Sequence, residues 1–439
     1  MWDVVVVGAG TAGAYAAYLM ARSGLSVLLI DSKPRERVGD KVCGDAIGAH
    51  HFEELGLSPP SGPEDEGTFP GVKVISPDEE HSFVVRGEGY AINRLAFGQR
   101  LLKMAEDAGA EFWGSTSALS PLVEGSSVVG VRVSRRGERV DVRARITVDA
   151  TGASASLRTK LPESWWVSER PDPSDFNAAY REIIELDEPV DEVYACVYLN
   201  PEVAPGGYWW LFPKRGGEEV NLGIGVQVGR GNPRVNYERY VRPRVGGRAV
   251  HSGGGLVPTR RTVSCFVWNG FMAVGDVLPA ANPIHGGGIG PSMLSARAAA
   301  QTAVEALETG SPSLENLWPY HRRYHEVYGA KQASLDVLRM YLQRMTPEDL
   351  NFIIGRGLVT GDEVDRIGRA GVVSPALVSR IVSAAVRRPF LMLKLKKMKE
   401  YMDRAAELYM RFPETPEDFP RWREEERSLF AEYSEWLGR

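Results

Sequence analysis

Cysteine is scarce in this chain. Three occur in 439 residues, Cys43, Cys196 and Cys265, an odd number at wide spacing. That argues against a disulfide scaffold and points to a reducing compartment, and three separated thiols cannot build a four-cysteine iron–sulfur site, so no metal is expected. Long apolar runs are missing as well, because no stretch reaches the roughly 20 residues that cross a bilayer. The opening MWDVVVVGAG has neither the basic start nor the small-residue cleavage site of a secretory signal, which predicts a cytoplasmic protein. Basic excess is absent too. A formal net charge of -5 excludes a broad nucleic-acid-binding field, so any anionic partner must be met locally. Internal repeats and low-complexity segments are not found. What is there is ordinary: 43% hydrophobic residues over a length that suits two or three domains around a large core.

The chain opens as a βαβ unit. Val4 to Val7 form an all-apolar strand, Thr11 to Ser23 a helix, and Leu25 to Ile30 a second strand ending at Asp31. Residues 32–48 are glycine-rich and charged and predict a loop across the carboxyl edge of the sheet, where open α/β sheets bind ligands. Short strands follow over 68–90. A helix is expected from Asn93 to Ala108, then strands over 128–134 and 139–148 ending in Asp149-Ala-Thr-Gly152. From 155 to 265 strand-like segments broken by Pro and Gly predict an antiparallel domain set into the first. The first pattern reopens at Phe271 to Asp276 and continues into a small-residue helix from Ser292 to Leu307. After Gly310 the chain reads as helical, with breaks at Pro347, Pro375, Pro389 and Pro413. The expected fold is therefore α/β with an α+β insert: a discontinuous dinucleotide-binding domain (1–67, 91–154, 266–310), an antiparallel second domain (68–90, 155–265) and carboxyl-terminal helices (311–439).

The sharpest motif is Gly8-Ala-Gly10-Thr-Ala12-Gly13, directly between a strand and a helix. Gly8 permits the tight turn, Gly10 lets a pyrophosphate approach the helix amino terminus, Gly13 allows close packing, and Asp31 can accept from a ribose hydroxyl. This pattern alone does not separate FAD from NAD. A second glycine cluster does: Gly275-Asp276, then Asn282-Pro-Ile-His285-Gly-Gly287-Gly288-Ile289-Gly290. It resembles the ribityl-binding motif of flavoproteins related to p-hydroxybenzoate hydroxylase, which implies FAD as cofactor, Asp276 on the ribityl chain and Gly287, Gly288 and Ile289 beside the ring. The bare alternative is a glycine-rich strand-to-helix connection.

Three further segments narrow the resemblance. Pro205-Gly-Gly-Tyr208-Trp209-Trp210-Leu-Phe212-Pro213 and Lys41-Val-Cys43-Gly44-Asp45 are similar to the signature and the cysteine loop of the geranylgeranyl reductases. Val257-Pro-Thr-Arg260-Arg261 and Gly329-Ala-Lys331-Gln-Ala-Ser-Leu-Asp336 resemble archaeal members acting on digeranylgeranylglycerol phospholipids. The resemblance implies an FAD-dependent reductase that saturates C=C bonds of geranylgeranyl chains, with hydride leaving reduced flavin at N5. It also places Cys43, Gly44, Asp45 and Arg94 near the cofactor, Cys43 and Tyr208 in catalysis, and Tyr208, Trp209, Trp210, Phe212 and Pro213 along the isoprenoid chain.

The residues fit this independently. Large rings on one strand offer rigid apolar surface to a substrate without polar handles, each buried methylene contributing about 0.8 kcal/mol. They would equally fill a sheet core. Cys43 reads either as packing or, in a polar loop between Asp40 and Asp45, as a functional thiol. Arg94 is either a phosphate contact or a solvated helix-start residue, and His285 either a site residue or a backbone hydrogen-bonding one. The acid that protonates the alkene is Cys43 or the flavin itself. One fingerprint leaves no second dinucleotide domain, so NADPH visiting transiently and a ferredoxin-type carrier are both open as reductant. The protein is expected to act as a monomer. Arg387, Arg388, Lys394, Lys396, Lys397 and Lys399, interleaved with Phe390 to Leu393 and Leu395, hold four of the eleven lysines and read as a solvated helix face or as a peripheral contact with the inner membrane surface. Two other readings of the fold stand beside the reductase: an oxygen-dependent aromatic monooxygenase and a flavoprotein passing electrons to quinone.

Overall fold

The computed structural model describes residues 1–363, 380, 384 and 386–438. The first sheet is built on β1 (Trp2–Val7), which pairs in parallel with β2 (Val27–Ile30) on one side and β9 (Glu138–Asp149) on the other. β6 (Glu111–Trp113) extends it beyond β2 and β16 (Phe271–Ala273) beyond β9, again in parallel. An antiparallel hairpin of β7 (Thr116–Glu124) and β8 (Ser127–Arg135) attaches through β9, and β15 (Val267–Trp268) closes the edge beside β16. Val4 to Val7 and Val27 to Ile30 are buried because both faces of this sheet are covered.

Helix α1 (Thr11–Arg22) covers one face with an alanine-rich surface that lets it lie close to the strands. It packs on α3 (Arg94–Asp107) and α5 (Ile289–Glu308), while the short α2 (His50–Leu55) sits nearby. Asn93 caps α3 by accepting the Ala96 N–H at 3.0 Å, the arrangement that short polar side chains favour at helix starts.

The second sheet runs β14 (Arg248–Pro258), β10 (Phe176–Glu185), β13 (Glu219–Gln227), β12 (Tyr208–Lys214), β11 (Ala195–Tyr198), β4 (Asp65–Ile75), β5 (Ser82–Ile92), β3 (Ala46–Gly48). It is antiparallel except where β11 meets β4 in parallel, a pairing reached by a long connection. Ala46 to Gly48, read from sequence as the end of a loop, form its edge strand, because pairing with β5 satisfies their backbone groups.

The other elements among the described residues are helical: α4 (Pro233–Asn236) lies within the second domain, and α6 (Leu314–Leu317), α7 (Pro319–Tyr324), α8 (Ala330–Leu342), α9 (Pro347–Gly355), α10 (Pro389–Met410) and α11 (Phe419–Gly438) follow α5. Pro347 and Pro389 open α9 and α10, where a missing N–H costs nothing. Pro413 falls between α10 and α11, and the expected break at Pro375 lies outside the described residues. The main core joins the first sheet to these helices, and two smaller clusters occupy opposite faces of the second sheet.

A buried ion network ties the helices to the ends of β10 and β14 in the second sheet. Arg261 contacts Asp336 at 3.0 Å and Glu426 at 2.8 Å, while Asp175 receives Arg260 and Arg339 at 3.0 Å each. The two sequence segments quoted above for the archaeal members thus meet in space.

Candidate active site

The turn after β1 explains its glycines. Gly8 has φ +106° and a Cβ there would stand 2.4 Å from the Ala150 carbonyl oxygen; one on Gly13 would stand 1.8 Å from the Gly8 oxygen. Gly10 faces open space and is the cap of α1, with neither a side-chain cap nor an acid in the first turn, and Ala12 is buried just inside. The helix therefore presents free N–H groups and positive dipole to the cleft, a fit for a pyrophosphate. Asp31 accepts the Ala9 N–H at 2.7 Å and the Lys33 N–H at 2.8 Å, fixing the turn while keeping lone pairs for a ribose hydroxyl.

Arg94 is buried and folds back from α3 to this helix end. It donates to Thr11 Oγ1 at 2.9 Å and lies 3.9 Å from Cys43 Sγ, and its Nε has no partner among the described residues. The cation thus faces both the bare end of α1 and the cysteine loop.

That loop is laid over the second sheet. Val42 sits on Gly253 of β14, where a Cβ would come within 2.5 Å of it. The Cys43 carbonyl accepts Arg181 Nε at 3.1 Å and Asn221 Nδ2 at 2.9 Å, and Gly44 rests against the Phe212 ring. Asp45, with φ 60°, turns its side chain inward to Lys214 at 3.2 Å and Asn221 at 2.9 Å, in a buried group that includes Glu66. The structure thus places Asp45 as the anchor of the loop and leaves the Cys43 thiol half-buried. The other two cysteines are buried elsewhere, where loss of water pushes both thiols up to about 12.

The second glycine cluster closes the cleft. Asp276 follows β16 in a tight turn whose Gly275 N–H donates to Ser295 Oγ at 2.9 Å. Its Oδ1 is buried without a hydrogen-bond partner among the described residues, and Oδ2 lies 3.8 Å from Lys41 Nζ. It borders a cleft of about 160 Å³ shared with Ser154, Arg158 and Pro279. Gly288 caps α5 without a side-chain bond, Ile289 begins that helix, and the Gly287 N–H donates to His285 Nδ1 at 3.2 Å. His285 itself is exposed. His51 lies against Gly290, and burial, then neighbouring His50, hold it down to about 4.

The aromatic strand divides by face. Tyr208, Trp210 and Phe212 share one side, with ring centroids 5.9 and 6.1 Å apart, and the Tyr208 hydroxyl donates to the His285 carbonyl at 2.5 Å. Loss of water, then the nearby Cys43 thiol, push the Tyr208 phenol above its ordinary range. Gly223 on the next strand makes room for the Trp210 indole, which a Cβ would approach to 2.3 Å, and Trp210 Nε1 donates to Asn221 at 3.0 Å. Trp209 is not brought to this group. It stacks on Tyr198 at 3.5 Å on the other face, as strand alternation demands, and Pro213 shares its parity.

Several site residues were missed in the sequence: Thr11, Lys41, Arg181, Lys214, Asn221 and Gln332. Polar residues inside strands as apolar as β12 and β13 were the signal for Lys214 and Asn221. Gln332, fully buried on α8, donates to the carbonyls of Arg260 and Pro279, and no local pattern shows this.

An unpartnered buried carboxylate oxygen, an uncapped helix end beside a buried arginine, and glycines opening space between them fit a dinucleotide bearing a ribityl chain. Fold and site define an FAD-dependent oxidoreductase. The chain is 39% identical to the digeranylgeranylglycerophospholipid reductase of Sulfolobus acidocaldarius over 99% of both chains. It belongs to the digeranylgeranylglycerophospholipid reductase family. The relative of that name from Methanothrix thermoacetophila is 30% identical over 84% of this chain and 94% of its own. Residues 175–257 match the geranylgeranyl reductase catalytic domain and residues 3–56 the glucose inhibited division protein A family. Among solved structures, a geranylgeranyl bacteriochlorophyll reductase-like protein from Thermoplasma acidophilum superposes with TM-score 0.77 at 25% identity, covering 90% of this chain and 99% of its own. A flavin-dependent brominase, TM-score 0.65 at 20% identity over 88% and 99%, shares the fold.

Proposed function

We propose that the protein saturates the carbon–carbon double bonds of geranylgeranyl chains in archaeal ether phospholipid synthesis. The observation that carries this reading is the apolar face of Tyr208, Trp210 and Phe212 meeting Cys43–Gly44 beside the Asp276 cluster. FAD held here would, once reduced, supply the hydride for one alkene carbon, with a proton needed at the other. Gly8, Gly10, Gly13, Asp31 and Arg94 hold the dinucleotide, and Asp276 with Gly287, Gly288 and Ile289 hold its ribityl and ring end.

An unactivated alkene has no carbonyl to store negative charge, so positive character develops at its tertiary carbon, and rings such as Trp210 and Tyr208 stabilise it. The proton comes from Cys43 Sγ, and the Arg94 guanidinium at 3.9 Å compensates the charge left on sulfur. The high phenol of Tyr208 keeps its proton and holds the His285 carbonyl in place. Trp210 and Phe212 select the chain by shape and exclude water. With a single glycine fingerprint, electrons come from an external donor, NADPH or a ferredoxin-type carrier.

The test is anaerobic incubation of the dithionite-reduced protein with a geranylgeranyl phospholipid, read by mass spectrometry. Stepwise gains of two hydrogens are expected. An unchanged lipid, or an oxygenated product appearing only in air, would sink the reading.

A further inference from the structure

Helix α10 buries some of its apolar side chains and exposes others. Leu391, Met398, Tyr401, Ala405, Leu408 and Tyr409 are buried against the body of the protein. At its amino-terminal end the helix exposes Phe390 and Leu393, 80% and 63% accessible and three residues apart, so they project together. Val386, just before the helix, is also exposed. Water-facing apolar side chains of this size on neighbouring positions mark a contact surface.

The surrounding cations divide into neutralised and free. Lys397 meets Glu400 at 3.0 Å, Lys399 meets Asp403 at 2.5 Å, and Arg388 pairs with Asp349. Arg387, Lys394 and Lys396 are exposed and have no carboxylate partner among the described residues. Lys394 follows Phe390 by four positions and Lys396 follows Leu393 by three, so the apolar pair is flanked by free ammonium groups. The whole chain is net acidic, at -5, so this patch is a local reversal of charge.

We infer that this end of α10 docks the enzyme on the surface of an anionic lipid bilayer, with Phe390 and Leu393 entering the headgroup boundary and Arg387, Lys394 and Lys396 resting on lipid phosphates. A flat basic patch alone would suit an acidic protein; apolar side chains protruding among flexible lysines suit a surface whose interior is oily and whose rim is anionic. The choice of a phospholipid surface rests on the proposed substrate, which is itself a membrane lipid.

The experiment is flotation of the flavin-loaded full-length protein with phosphatidylcholine vesicles, with and without phosphatidylglycerol. Binding is expected only with phosphatidylglycerol, and it should fall as salt screens the contact. Each cation near such a surface is worth about fivefold in partitioning, so Lys394→Glu with Lys396→Glu should lose more than about tenfold. Phe390→Asp with Leu393→Asp should lose as much while keeping parental flavin absorbance, melting temperature and turnover of detergent-dispersed lipid. Flotation needs no turnover, so a protein that binds these vesicles yet reduces no alkene would keep the surface and refute the activity. Absent binding, equal binding to both vesicle types, or variants that bind like the parent would overturn the proposal. So would lysine variants that float normally but accept electrons slowly from an acidic iron–sulfur carrier, which would make the patch a protein dock.

Discussion

The side-chain amide of Gln332 on α8 donates to the carbonyl of Pro279 at 2.5 Å, joining the carboxyl-terminal helices to the strand-to-helix passage that follows Asp276. The same amide reaches the Arg260 carbonyl at 2.8 Å. Gln332→Leu leaves buried carbonyls unpaired, at a cost of about 1–3 kcal/mol, and loosens the loop that carries the ribityl site. Thermal unfolding and flavin retained after gel filtration should both fall. Lower stability with full flavin retention would reduce Gln332 to a packing role.

Asp276 has a buried oxygen waiting for a donor. Asp276→Ala should therefore lower flavin content while the apoprotein melts within about 1 kcal/mol of the parent, since no protein hydrogen bond to that oxygen is lost. Flavin absorbance per protein checks it, and equal loading in parent and variant would remove Asp276 from the cofactor.

Trp209 and Trp210 should separate in their effects. Trp209, 2% exposed and stacked on Tyr198, belongs to the packing, so Trp209→Ala should cost about 3–5 kcal/mol while the folded fraction turns over normally. Trp210→Phe keeps an aromatic ring but takes the Nε1 donor from buried Asn221, so it should cost about 1–3 kcal/mol, less than the loss of Trp209, and lower kcat/KM for geranylgeranyl lipid. Denaturant melts beside steady-state kinetics decide, and identical profiles would contradict the division by face.

Cys43→Ser should leave FAD bound and reducible but slow alkene saturation by about a hundredfold or more, the usual worth of a positioned acid. Its carbonyl contacts to Arg181 and Asn221 are backbone ones and survive the swap. Single-turnover oxidation of reduced enzyme by the lipid without oxygen, followed by flavin absorbance, is the measurement. Parental rates would return the proton to the flavin.

Acid should destabilise the protein in two stages. Burial holds His51 at about 4 and His325 at about 3, and burial with neighbouring His325 holds His321 well below 6.5. These groups bind protons more readily unfolded, so their stabilisation is full above about pH 6.5 and declines as pH falls toward 4. Burial alone would raise Asp336 and Glu426, but Arg339 and Arg261 beside the first and Arg261 beside the second outweigh it and lower both carboxyls. Their contribution is present above the ordinary carboxylate range, about 4, and is lost below it. The melting temperature should be level near neutrality, slope downward below about pH 6.5 and drop further below about 4. A level midpoint from pH 7 to about 4.5 would contradict the first stage.

The sequence alone determined the βαβ opening and its glycine turn, because strand, turn and helix signals there are local and agree within a few residues. It also determined the alternation that separates Trp209 from Trp210, since a strand has a period of two whatever it packs against. Arg94 was ambiguous until its side chain was seen crossing to Thr11 and Cys43, a contact between α3, α1 and a loop that no local pattern encodes. Asp45 was read at the cofactor, and only the meeting of its loop with β12 and β13 showed Lys214 and Asn221 sharing its Oδ2 while Oδ1 stays buried without a hydrogen-bond partner among the described residues. Gln332 and the Arg261–Asp336 pair were visible as residues and invisible as partners. Tertiary structure decided these because a hydrogen bond or ion pair between distant segments depends on where each backbone ends up, whereas turn chemistry and hydrophobic period depend only on neighbours along the chain.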